Sequence, residues 1–220
     1  MAFSEFSIEV TTHGRYLLDG AGAGKPMLVG FHGYGESAEM ELNRLRSVPG
    51  SDRWIVLVIQ GLHRFYRRRS DEVVASWMTR QDRELAIQDN CSYVAKVVDT
   101  VTKQCDATGP LVLSGFSQGV AMAFRAAATV GRRVSGVIAL GGDVPPEIEP
   151  AVLSRIPAVL IGNGNKDEWY TPDKVASDER RLRSAGVNLQ VCSFDGGHEW
   201  TPAFAQAASR FLDSVATLSQ

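Results

Sequence analysis

Residues 111–119 read Leu-Val-Leu-Ser-Gly-Phe-Ser-Gln-Gly, and their reading decides the fold. An apolar run ends at Ser114, the pentad Gly115-Phe116-Ser117-Gln118-Gly119 follows, and a helical pattern opens at once. This is G-x-S-x-G between a buried strand and a helix, the context in which that motif forces its serine into a sharp turn with positive φ. Glycine is required on both flanks because neighbouring chain passes too close for a side chain. The turn lifts the Ser117 hydroxyl above the sheet, and the helix N-terminus beneath it favours developing negative charge. Ser117 is therefore the candidate nucleophile; the plainer alternative is a helix N-cap.

Outward from this pentad the pattern alternates. Residues 27–31, 55–59, 137–140, 158–161 and 189–194 are near-continuous hydrophobic runs, as expected of parallel strands covered on both faces. Helical runs over 39–48, 83–104, 118–129, 173–185 and 201–218 separate them, with Gly131 and Gly186 where C-terminal caps belong. The alternation predicts an α/β sheet with helices on both faces, and chemistry at the carboxyl ends of its strands. Residues 5–11 and 15–18 flank Thr12-His13-Gly14 and read as an N-terminal antiparallel hairpin. No repeat or linker interrupts the chain, so residues 1–220 are expected to form one domain.

A serine nucleophile needs a base. In the α/β-hydrolase chain order of serine, acid, histidine, only His198 follows Ser117; His13, His32 and His63 precede it. The acid should follow a strand between the two. Asp167, after the run 158–161, is the first choice, with Asp143 and the adjacent Glu168 as rivals. The run 27–31 leads into His32-Gly33-Tyr34-Gly35, a turn that can present backbone N–H groups to an oxyanion. The Tyr34 and Gln118 N–H groups are the expected donors.

The remaining features narrow the class. A net charge of -2 gives no field for capturing nucleic acid. The N-terminus lacks a basic, apolar leader and no apolar run reaches membrane length, so neither a signal peptide nor a membrane span is expected. Cys91, Cys105 and Cys192 are widely spaced and odd in number, which points to packing residues in a reducing, cytoplasmic setting rather than a disulfide or zinc framework. His and carboxylate residues do not fall at metal-ligand spacing, and no metal is expected. The long connection over residues 61–84 shows no clear element and is expected to wall an open groove, with Trp77 and Met78 as its apolar, substrate-binding face. The Arg67-Arg68-Arg69 run reads as a solvated surface balanced by Asp71 and Glu72.

These residues resemble the phospholipase/carboxylesterase family, which includes bacterial carboxylesterases and acyl-protein thioesterases. The resemblance rests on His32-Gly33-Tyr34-Gly35, Gly115-Phe116-Ser117-Gln118-Gly119, residues 164–167, Gly197-His198 and Ser76-Trp77, and runs from about residue 27 to the C-terminus. It implies an α/β-hydrolase fold with a mostly parallel, eight-stranded sheet, no cap domain and no cofactor. Two positions depart from the family pattern. Glu36 stands where Asp or Asn is usual, and Pro172 lies five rather than four residues after Asp167. The expected activity is hydrolysis of a small-molecule carboxylic ester or thioester of short to medium acyl chain. A peptidase or acyltransferase on the same triad, or a ligand-binding protein without turnover, are the alternatives.

Overall fold

The computed structural model describes residues 3–217. In chain order its strands are β1 (Arg15–Asp19), β2 (Met27–Phe31), β3 (Ile55–Gln60), β4 (His63–Tyr66), β5 (Val73–Ser76), β6 (Leu111–Phe116), β7 (Gly136–Leu140), β8 (Ala158–Gly164) and β9 (Asn188–Phe194). Its helices are α1 (Ala38–Arg46), α2 (Arg83–Gln104), α3 (Gln118–Thr129), α4 (Pro150–Leu153), α5 (Pro172–Ser184) and α6 (Pro202–Thr217).

Seven strands form one sheet in the order β1-β3-β2-β6-β7-β8-β9. Only β1 runs antiparallel, against β3; every other pairing in this sheet is parallel. The continuous apolar runs have a direct cause. Successive side chains of a strand point to opposite faces, and both faces are covered. Leu111 and Leu113 of β6 enter a core with α2, α3 and α5, whereas Val112 and Phe116 enter a second core with α1 and α6. The serine elbow follows β6, the middle strand of the seven.

Three expectations need correction. The sheet has seven strands among the described residues, not eight. Residues 5–11 form no strand, so the N-terminal hairpin is absent and β1 is an edge strand. Phe6, Ile8 and Val10 are 90%, 88% and 75% exposed, so their alternation buries no face. A hairpin does occur where a loop was expected: β4 and β5 pair as a separate two-stranded unit. The helix expected over 201–218 is Pro202–Thr217, and Leu218 lies outside the described residues.

Candidate active site

Ser117 takes φ 54 and ψ -119, the positive φ that the pentad implies, and its side chain makes no capping hydrogen bond. The elbow is tight because α3 starts against β2. A Cβ on Gly119 would lie 1.9 Å from the Phe31 carbonyl oxygen, and one on Gly115 would lie 2.3 Å from that of Gly119. The Ser117 N–H donates to Leu140 O of β7 at 2.9 Å, which fixes the turn to the neighbouring strand end.

Asp167 and His198 meet across β8 and β9. His198 Nδ1 lies 2.7 Å from Asp167 Oδ2. The other carboxylate oxygen, Oδ1, accepts the N–H groups of Trp169 at 2.8 Å and Tyr170 at 3.0 Å. One oxygen thus caps the turn into α5 while the other orients the imidazole. Burial pushes the Asp167 carboxyl up, but the Tyr170 N–H, the His198 ring and the Trp169 N–H outweigh it and hold it below the ordinary range. An ionised Asp167 accepts from Nδ1–H, which leaves Nε2 as the basic nitrogen. The two loops are also joined through backbone, since Lys166 N–H donates to Gly196 O at 2.9 Å.

The rivals are placed elsewhere. Asp143 is exposed and pairs with Lys174 at 3.2 Å, and Glu168 is exposed. The glycines before Asp143 do matter, a role that sequence reading missed. A Cβ on Gly141 would lie 3.0 Å from His198 Cε1, and one on Gly142 would lie 2.4 Å from the Ser117 carbonyl oxygen. This turn at the end of β7 is therefore the common floor of the Ser117 and His198 loops.

On the other side of β6, the loop after β2 carries Tyr34. Gly35 N–H donates to Ala75 O at 3.0 Å and Ala75 N–H to Glu36 O at 2.8 Å, so β5 pins this loop. Neither the Tyr34 nor the Gln118 N–H has a hydrogen-bond acceptor among the described residues. His32 is a buried post beneath them. Gly61 N–H donates to its Nε2 at 3.0 Å and its Nδ1 sits 2.7 Å from Gly33 O, a pattern that assigns the proton to Nδ1. Burial lowers its pKa. Histidines 13 and 63 are exposed.

Trp77 does not line a groove. It is 0% exposed, stacks on His32 at 5.1 Å between centroids, and donates Nε1–H to His32 O at 2.9 Å. Its backbone N–H is held by the Gln118 side-chain carbonyl at 2.9 Å, and Gln118 Nε2 reaches Met78 O at 3.2 Å. The indole was drawn inward because both its ring face and its N–H find buried partners there. Met78 is half-buried, with its sulfur 3.8 Å from Arg125. The exposed apolar surface on this flank is Tyr34, whose ring lies 5.6 Å from that of Phe65 on β4. Of the arginine run, Arg67 pairs with Glu72 at 2.9 Å and caps Gly35 O at 3.1 Å, while Arg68 and Arg69 are exposed. Trp77→Ala is accordingly expected to cost about 3–5 kcal/mol of stability while leaving acyl-chain preference unchanged. Urea unfolding and a p-nitrophenyl ester series check this, and a shifted chain-length optimum at parental stability would contradict it.

Among the described residues, no group of three or more His, Cys, Asp or Glu side chains is arranged to hold a metal ion. No described helix is long and apolar enough to cross a membrane.

The comparisons agree with this architecture. An esterase called PE8 superposes with a TM-score of 0.69 at 21% identity, covering 94% of this chain and 100% of its own. Acyl-protein thioesterase 2 of Zea mays gives 0.71 at 20% identity, covering 93% and 100%. The Bacillus cereus carboxylesterase gives 0.70 at 18%, covering 92% and 94%. At these identities the likeness establishes the fold. No protein with a curated description matches the sequence. The family described as phospholipase/carboxylesterase matches residues 18–216, nearly the whole chain. The chain therefore belongs to the phospholipase/carboxylesterase family of α/β-hydrolases.

Proposed function

We propose that this hydrolase cleaves carboxylic esters or thioesters of short to medium acyl chain through an acyl-enzyme on Ser117. The observation that carries the reading is the 2.7 Å contact between His198 Nδ1 and Asp167 Oδ2, made at the same carboxyl end of the sheet as the strained Ser117 elbow. In the first step Ser117 Oγ bonds to the acyl carbon and its proton passes to His198 Nε2. Asp167 holds the imidazolium that results. The Tyr34 and Gln118 N–H groups take the oxyanion, which is why their lack of a partner among the described residues supports the reading. Collapse breaks the bond to the alkoxide or thiolate, which leaves with the proton from His198. Water then repeats the sequence on the acyl-enzyme and releases the acid.

The Tyr34 and Phe65 rings supply the apolar surface beside the oxyanion donors, and Met78 remains a candidate lining residue. The three free cysteines favour a reducing, cytoplasmic setting. The test is a fluorophosphonate label mapped to its residue, with burst kinetics on p-nitrophenyl esters and on the matching p-nitroanilides. Labelling of Ser117 and an ester burst with anilide turnover far slower is the expected result. Anilide turnover at the ester rate would point to the peptidase alternative, and no labelling with no turnover to a binding protein.

A further inference from the structure

Glu36, one of the two positions that depart from the family pattern, turns its side chain back under the Tyr34 loop. Its Oε2 accepts the Gly33 N–H at 2.8 Å and Arg44 Nη1 at 2.6 Å, and its Oε1 accepts Arg44 Nη2. This two-pronged grip is specific to a guanidinium. The side chains are 16% and 13% exposed, so solvent screens the pair little. The same guanidinium lies over the Phe116 ring, with Cζ 4.2 Å from its centroid. Phe116 adjoins Ser117, and its ring packs 5.0 Å from that of His198. Arg44 also reaches the fully buried Glu41 at 3.2 Å. Burial pushes the Glu41 carboxyl up to about 8, against the pull of Arg44.

One element therefore touches both halves of the site. The Tyr34 N–H follows β2 and the Gln118 N–H follows β6, and nothing covalent sets their spacing. An oxyanion site works only when its donors are aimed before the reaction. We propose that Arg44 and Glu36 are positioning residues that lock the Tyr34 loop against the Ser117 elbow, so that both N–H groups face one oxyanion. This rests on the ester-hydrolase reading above.

The experiment measures kcat per fluorophosphonate-titrated site, KM, and inhibition by a trifluoromethyl ketone, which forms a tetrahedral oxyanion adduct with the serine. Glu36→Gln and Arg44→Met are expected to lower kcat by roughly 10- to 100-fold with KM within about twofold, and to weaken the ketone in parallel. Arg44→Lys, which restores charge without the fork, should recover only part. Arg46→Met, on the same helix as Arg44, breaks an exposed pair with Asp19 of β1 and should match the parent. Unchanged kcat per titrated site and unchanged ketone affinity in Glu36→Gln would overturn the proposal. So would a loss confined to the titratable fraction and melting temperature. Should Arg44→Met not fold, the isosteric Glu36→Gln decides. A parent enzyme that takes no label sinks the underlying reading itself, whereas a labelled parent beside an unaffected Glu36→Gln sinks the positioning role alone.

Discussion

Ser117→Ala is expected to lower kcat by roughly 10³-fold or more, with the protein still folded. The substitution deletes Oγ, the atom proposed to bond to the acyl carbon, and nothing adjacent replaces it. Folding should survive because the hydroxyl makes no capping hydrogen bond and alanine is no larger. Some turnover above water should persist, since the oxyanion donors and the binding surface remain. The measurement is kcat on a p-nitrophenyl ester, with melting temperature and fluorophosphonate labelling as companions. Parental activity in pure Ser117→Ala protein would remove the central claim.

Asp167→Asn is expected to be comparably severe, at roughly 10⁴-fold in kcat. The Oδ1 position can still accept from Trp169 and Tyr170, so the turn into α5 should keep its shape. At the other position an amide N–H would replace the oxygen that faces His198 Nδ1. The imidazole then places its lone pair on Nδ1 and its proton on Nε2, which cannot accept the serine proton. Asp143→Asn and Glu168→Gln should stay near the parent, since one carboxylate pairs with Lys174 and the other is exposed. Equal rates for Asp167→Asn and the parent would move the acid to Asp143.

The sheet was legible where burial imposes a pattern. Strands β2, β3, β6, β7 and β8 are buried on both faces, so their sequences had to be continuously apolar. The β4–β5 hairpin escaped because β4 is fully exposed and rich in arginine flanks, so no periodicity marks it. Residues 5–11 failed in the opposite way: they carry strand-like alternation, but β1 leaves them unpaired. At the site, motif and chain order sufficed to single out Ser117 and His198 as candidates. Position after a strand ranked Asp167 ahead of Asp143 and Glu168 without excluding them, because the contact with His198 depends on β8 lying beside β9, which brings residues 31 apart together. Trp77 was misplaced because an aromatic side chain in a long connection reads equally as lining or as support. The deciding facts, its N–H to His32 O and its stack on that ring, involve residues 45 positions away in the chain.

The backbone of Ser117 carries one more consequence. At φ 54 and ψ -119 a glycine is at ease, whereas any residue with a side chain gives up about 1–3 kcal/mol. The proposed nucleophile is therefore a weak point of the native state, held in place by better-packed surroundings. The substitution that relaxes it most, Ser117→Gly, also removes the hydroxyl. Selection for heat resistance alone would thus drift toward an inert chain at this position, and hardening this hydrolase without losing turnover means adding stability elsewhere.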